Sequence, residues 1–252
     1  MMPLLFPDWT APPGVRAAFT LRSGGASVPP WDSLNLGVHV GDDPLAVAAN
    51  RRRVAQALSL PAEPCWLAQV HGTGVHEVER VGLATDALGA APPVADAAVT
   101  RSRGAVLAIQ VADCLPVLLA SDDGAVLGAA HAGWRGLVAG VVERTVERMG
   151  HPPARIVAWL GPCIGPQQFE VGEEVREAFL AAGDAPGAFR QSPAGRWLCD
   201  LPAIARGRLQ RLGVERVAGG EWCTVADPVR FFSHRRDRLT GRMAALLWHD
   251  VL

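Results

Sequence analysis

Three almost wholly apolar runs follow one another in the middle of the chain: AVLAIQV (105–111), LPVLLA (115–120) and AVLGAA (125–130). A strand with one wet face alternates apolar and polar residues, so runs without that alternation read as strands buried on both faces. A chain with three in succession must bury a sheet and cover it on both sides. Residues 44–58 supply one cover. They read as a helix, with Asp43 as N-cap, Pro44 at the first helical position and Pro61 as the stop. Residues 135–149 place Leu137, Val138, Val141, Val142 and Val146 at close to helical spacing, and 172–182 and 200–212 also read as helical. Further strands are expected at 15–21, 65–70, 75–79, 95–100 and 155–161, with the last two in VERVAGG (214–220) and GRMAALLW (241–248). The order is neither regular βαβ nor all β, and no repeat or linker divides the chain. One α+β domain over residues 1–252 is expected, opened by an extended Pro-rich segment at 1–14.

Hydrophobic residues make up 49 % and charged residues 19 %, which excludes disorder. The net charge of −1 gives no footprint for nucleic acid or an anionic membrane. No run approaches the ~20 apolar residues of a membrane span, and the N-terminus lacks the basic start of a secretory signal. All 24 basic residues are Arg, and Tyr is absent. A Schiff-base lysine, a P-loop lysine and a tyrosine base are therefore excluded, and an anion must be held by Arg or backbone N–H groups. Cys65, Cys114, Cys163, Cys199 and Cys223 form no Cys-x-x-Cys pair. That usage fits a reducing cytoplasm rather than a disulfide framework.

Four residues able to ligate or attack sit just beyond apolar strands: His71 in QVHG, Cys114 in VADCLPV, His131 in HAGWRG and Cys163 in GPCIG. A single buried Cys usually acts as a small hydrophobe, and a strand-end His is usually a hydrogen-bonded rim residue. Together they admit two chemistries. Two imidazoles and a thiolate make a three-ligand metal site with a fourth position open, the pattern of catalytic zinc. A Cys–His hydrolase or transferase, with Cys114 or Cys163 as thiolate and His71 or His131 as base, is the other. Spacing does not choose between them. Arg22 in TLRSGG and Arg135 in GWRG adjoin glycines that would let an anion come close, and Asn35 in SLNLG could bind substrate or close an Asx-turn. FFSHRRD (231–237) reads as a surface loop.

The segments AFTLRSGG, SLNLGVHVGDD, QVHG, ADAAVT, ADCLPVLL, HAGWRG, GPCIG, FEVG and CTVADPVRFFSHRRD…TGRMAALLW occur in the order and near-spacing of the laccase-domain, or polyphenol oxidoreductase, family. The resemblance covers about residues 18–248 and departs from the usual pattern at Ala26, Trp31 and His234. It implies a layered α/β/β/α sandwich of mixed sheets flanked by helices. It also implies a metal site of His71, Cys114 and His131, with Cys163 in a supporting role. Members are described as zinc-dependent purine nucleoside phosphorylases. They convert adenosine, inosine, guanosine and methylthioadenosine to base and ribose 1-phosphate, and also deaminate adenosine by attack of zinc-bound hydroxide on C6. By this resemblance Arg22 and Asn35 are candidates for phosphate or ribose contacts, Arg135 for substrate binding and Asp113 for proton transfer. A monomeric cytoplasmic enzyme is expected.

Two other activities are attached to relatives. One is a peptidoglycan-editing hydrolase using the Cys/His pair. The other is a copper laccase, which needs a trinuclear cluster fed by His-x-His pairs, and no His-x-His occurs among the 7 histidines. Cu2+ could still occupy a His₂Cys site in vitro, because copper outranks zinc in intrinsic affinity.

Overall fold

Both faces of the central apolar runs are covered, each by a different partner. The structure, a computed structural model, describes residues 2–79 and 91–250. In chain order, β1 (Leu4–Leu5) and β2 (Val15–Thr20) lead to α1 (Pro44–Leu58), then β3 (Val75–Val78), β4 (Ala97–Thr100), β5 (Val106–Val111), β6 (Leu115–Ser121) and β7 (Leu127–Ala132). Helices α2 (Trp134–Val138) and α3 (Val141–Met149) precede β8 (Ile156–Leu160), β9 (Glu170–Val171) and α4 (Glu173–Ala181). The chain closes with β10 (Phe189–Gln191), β11 (Trp197–Cys199), α5 (Leu201–Arg211), β12 (Arg216–Gly219), α6 (His234–Asp237) and β13 (Met243–His249).

A four-stranded antiparallel sheet, β1-β2-β13-β5, faces a six-stranded mixed sheet, β12-β8-β6-β7-β4-β3. Residue parity explains the continuous apolar runs. In β13, Met243, Ala245 and Leu247 point into the core between the sheets, and Ala244, Leu246 and Trp248 point outward to a cluster that includes Val54 of α1. In β6, Leu118 and Ala120 join the intersheet core, and Leu115, Val117 and Leu119 join a third cluster with Val142 and Val146 of α3, Phe179 of α4 and Leu209 of α5. The layers are therefore α/β/β/α, as the resemblance implied. The buried runs lie in mainly antiparallel pairs, because helices cover the outer face of each sheet and leave no wet side to alternate toward.

Four expectations are corrected. Residues 65–70 are not a strand: Cys65 bridges Leu107 of β5 while Ala68 bridges Val94, so the segment is divided between the two sheets. The run at 125–130 begins its strand only at Leu127 and continues through Ala132, which puts His131 inside β7 opposite Pro116. The helix expected over 135–149 is broken at Gly140, whose φ of 94° belongs to the left-handed region. Arg208 of α5 stabilises the break by donating to the carbonyls of Leu137 and Val138. FFSHRRD is not a surface loop either: Phe231, Phe232 and Ser233 are buried, and Ser233 caps α6 by accepting from Arg236 N at 3.2 Å.

Candidate metal centre

Three separate stretches converge at one end of the six-stranded sheet. His71 lies on the loop after the divided 65–70 segment, Cys114 on the connection from β5 to β6, and His131 in β7. Their ligand atoms all fall within 4.8 Å of one another, with His71 Nε2 at 3.6 Å from Cys114 Sγ. The two imidazoles stand edge to face, centroids 4.8 Å apart.

Asp96, which opens the short strand ADAAVT and was not singled out from sequence, holds both histidines. Its carboxylate lies 2.9 Å from His131 Nδ1 and accepts from the backbone N–H groups of Val70, His71 and Gly72 at 3.2, 2.8 and 2.6 Å. Burial alone would raise its pKa, but the bonds from His131, Gly72 and His71 outweigh that and hold it below the ordinary carboxylate value. With Nδ1 of His131 facing Asp96, Nε2 is left for the ligand position. This is the carboxylate–histidine pairing that orients and strengthens metal-ligating imidazoles.

The charge state suits a metal as well. Burial would raise the Cys114 thiol, but His131 and His71 prevail and bring its pKa down to about 6. The His131 imidazolium, opposed by burial but favoured by Cys114 and Asp96, is raised to about 9. A thiolate is therefore ready near neutral pH, as a metal ligand must be. Iodoacetamide should modify Cys114 of the metal-free protein with a rate that rises through pH ~6 and is suppressed by zinc. A midpoint near the ordinary thiol value would contradict this pairing.

The glycines of HAGWRG admit this packing. A Cβ on Gly133 would stand 2.9 Å from both Cys114 Sγ and His71 Cδ2, and one on Gly136 would stand 2.8 Å from the carbonyl of Gly72. Only bare backbone lets α2 start this close to the ligands. Trp134 and Arg135, the first residues of α2, follow the site outward, with the Arg135 guanidinium over the Trp134 ring at 4.5 Å.

The three ligands line a cavity of about 430 Å³ together with His39, Gln69, Gln110, Arg135, His234 and Arg242. A smaller cavity of about 130 Å³ shares Ala112, Cys114 and His234 with it and is walled by Trp134, Ile164, Phe169 and Leu201. The His71, Cys114, His131 group thus lies where a cationic chamber meets an apolar slot. A larger groove of about 660 Å³ elsewhere carries paired arginines and glutamates but no thiol or imidazole. Asp122, Asp123 and His151 also cluster, but Asp122 is taken by Arg155 and Arg216, which opposes a cation there.

Of the other expected site residues, Arg135 lines the cationic chamber. Arg22 does not line either cavity: it donates to the carbonyls of Asp32 and Pro228 and stacks on Phe232 at 4.9 Å. Asn35 is fully buried and bonds Gly37, Asp42 and the backbone of Arg242, so it shapes the loop that brings His39 and Arg242 to the chamber. Asp113 accepts from Thr224 Oγ1 and from Arg235 N, both at 2.6 Å, and so fixes the start of α6 beside Cys114. Cys163 is buried, with its thiol on the Ile164 carbonyl at 3.5 Å and its pKa pushed well up by burial.

Sequence reading missed Asp96, His39, Gln110 and Arg242. The signal available for Asp96 was a lone acid at the head of an apolar strand. The signal available for Gln110 was that it is the one polar residue in the apolar run 105–111.

The chain matches the model of the family described as multi-copper polyphenol oxidoreductase laccase over residues 16–250. It is 48 % identical over 249 residues to the Escherichia coli K12 protein named purine nucleoside phosphorylase YfiH, covering 98 % of this chain and 99 % of that one. The chain belongs to this family. Within the laccase-domain family a Xylella fastidiosa purine nucleoside phosphorylase is 51 % identical, with 97 % of this chain and 96 % of that one covered. Among solved structures, the Neisseria meningitidis protein NMB0706 superposes with a TM-score of 0.90 at 45 % identity, covering 98 % and 99 % of the two chains. YlmD from Geobacillus stearothermophilus gives 0.89 at 32 % identity, covering 99 % and 100 %. The name of the laccase family model speaks of several coppers. Among the described residues only the His71, Cys114, His131 group offers a thiolate and imidazoles together.

Proposed function

We propose that the chain is a zinc-dependent purine nucleoside phosphorylase that also deaminates adenosine. Its substrates would be adenosine, inosine, guanosine and methylthioadenosine, with phosphate as the co-substrate of cleavage. The observation that carries the reading is the His71, Cys114, His131 group set between an apolar slot and a cationic chamber. Curated relatives named purine nucleoside phosphorylase support it.

The donor set fits zinc: one thiolate, two imidazoles, and a carboxylate behind one of them. Bound there, zinc would supply Lewis-acid polarisation and lower the pKa of water. The chain's own residues would do the rest. Trp134 and Phe169 offer aromatic surface to a purine ring, and Arg135 and Arg242 offer cations to phosphate. In phosphorolysis the C1′–N9 bond breaks with its electron pair going to the base, and a phosphate oxygen bonds C1′. Burial and the charges of Arg242, Arg51 and His131 lower the pKa of His39 and so make it a poor proton acceptor, and the departing base would take its proton from phosphate or water. Asn35 would contribute by holding the loop that carries His39, Arg22 by tying the Asp32 and Pro228 loops together, and Asp113 by positioning the Cys114 loop.

All three metal ligands come from one chain, so a monomer suffices. Five free cysteines suit a reducing cytoplasm, and no described helix is long and apolar enough to cross a membrane.

Zinc-loaded protein given adenosine should release adenine only when phosphate is present, and inosine with or without it. The low thiol pKa of Cys114 beside two imidazoles also favours a second reading, a Cys–His peptidoglycan-editing hydrolase. Hydrolysis of a muramyl amino acid that survives chelation, with no nucleoside turned over, would select that reading.

A further inference from the structure

Cys163 and Cys223 are paired residue to residue. The Cys163 N–H donates to the Trp222 carbonyl at 3.3 Å and the Cys163 carbonyl accepts from Thr224 N at 2.9 Å, the two bonds of a parallel bridge centred on Cys223. Residues opposed in this way project to the same face, and segments so bonded run about 4.8 Å apart. Disulfides span Cα separations of about 4.4–6.8 Å, so the backbone already has the spacing for one. Gly165 marks the face. A Cβ there would stand 3.0 Å from Cys223 Cβ and 3.1 Å from Cys223 Sγ, which puts the Cys223 side chain over the side of the segment that Cys163 occupies two residues earlier. Among the described residues no other two cysteines are bridge partners.

The two thiols differ in access. Cys163 is buried, and burial first and the neighbouring Cys223 next push its pKa well up, so it stays protonated. Cys223 is half-buried, and its Sγ accepts from Gly165 N at 3.2 Å. An oxidant therefore meets Cys223 first, with Cys163 behind it as the resolving thiol. Both cysteines adjoin the frame of the metal centre. Next to Cys163, Ile164 walls the apolar slot and donates its N–H to the Asp113 carbonyl at 2.8 Å. Next to Cys223, the Thr224 hydroxyl donates to the Asp113 carboxylate at 2.6 Å, and Asp113 immediately precedes Cys114.

We propose that Cys163 and Cys223 form a peroxide-responsive dithiol whose disulfide braces the two segments that hold Asp113 beside Cys114. The Cys223 sulfur takes an oxygen from hydrogen peroxide as the O–O bond breaks, giving a sulfenic acid and water. The Cys163 sulfur then bonds the Cys223 sulfur, the S–O bond breaks, and the departing hydroxide leaves with the Cys163 proton as a second water. The thiols give up two electrons and two protons, and the peroxide is reduced. A thiol reductant reverses the closure, as suits a disulfide that is transient in a reducing compartment. The pairing does not depend on which substrate the metal centre takes.

The test treats zinc-loaded protein with hydrogen peroxide, alkylates the remaining thiols after unfolding, and maps the tryptic peptides without reduction. Cleavage after Arg155, Arg176, Arg216 and Arg230 leaves the two cysteines in separate peptides. A dithiothreitol-sensitive link between peptides 156–176 and 217–230 is expected. Cys163→Ala, which lacks the resolving thiol, should instead leave Cys223 as a sulfenic acid that dimedone traps, and the wild-type map decides the pairing whether or not this variant folds. Closing the long loop between the two cysteines should raise the Tm of oxidised wild type by about 5–15 °C over the reduced form at equal zinc content. Both thiols still open to alkylation, Cys223 driven to sulfinic acid with Cys163 free, or a link to another cysteine would overturn the pairing. A link that forms without raising Tm would overturn the brace.

Discussion

Asp96→Asn should weaken zinc binding by roughly 10- to 100-fold, the usual effect of removing the carboxylate behind a ligating histidine. The expectation follows from where the carboxylate reaches: His131 Nδ1 on one side, and the N–H groups of Val70, His71 and Gly72 on the other. An amide can satisfy some of these groups but cannot stabilise an imidazolium, so His131 should lose part of its raised pKa. Asp96→Ala goes further. It leaves buried donors unpaired at about 1–3 kcal/mol each, so the metal-free protein should also unfold at lower temperature. Competition against a chelator of known affinity measures the first effect and thermal unfolding the second. Wild-type zinc affinity in Asp96→Asn would show that the carboxylate orients nothing.

Arg208→Ala should be the most destabilising single change outside the metal centre. Arg208 is 4 % exposed and bonds the buried Asp184 carboxylate, Glu143 of α3 at 3.0 Å and the Leu137 carbonyl at 2.7 Å. Removing it leaves the buried Asp184 carboxylate with Arg211 alone, at 2.7 Å, and frees the carbonyls at the α2/α3 break. Breaking one half of a buried ion pair costs about 3–5 kcal/mol. At about 2–4 °C per kcal/mol for a chain of this size, Tm should fall by about 6–20 °C. Arg208→Lys, which keeps the charge but not the planar fork, should recover only part of it. A shift of under 2 °C would mean that Arg211 alone satisfies Asp184. Because α2 carries Trp134 and Arg135 into the site, the same variant should lose phosphate affinity under conditions where it is still folded.

Two-faced burial of the core runs and His71, Cys114, His131 and Cys163 as candidates at their ends were legible in the chain for the same reason, whereas the layer order and the choice among the four came from the family resemblance. Burial on both faces leaves a run without polar residues, so a His or Cys at its end stands out. What stayed hidden lies where one residue type serves two settings. Asp96 sits at the head of a strand like any solvated acid, and only the fold brings 70–72 over it. Gly140 occupies a helical pattern whose period continues through it, yet the backbone turns left-handed there because α5 supplies a cation for the freed carbonyls. Arg22 and Asn35 adjoin glycines as ligand-binding residues do, but their bonds close loops around Asp32 and Asp42. FFSHRRD advertises its charges; its phenylalanines are the part that packs.

The single carboxylate that grips both histidines also decides when the site can exist. His71 and His131 come into register only once β4, which follows Asp96, has zipped against β7 and the 70–72 loop has settled on Asp96. Before that the chain offers scattered donors with no common geometry to hold an ion. A metal held there would therefore bind the folded sheet far better than the unfolded chain, and its binding energy would add to the stability of the fold.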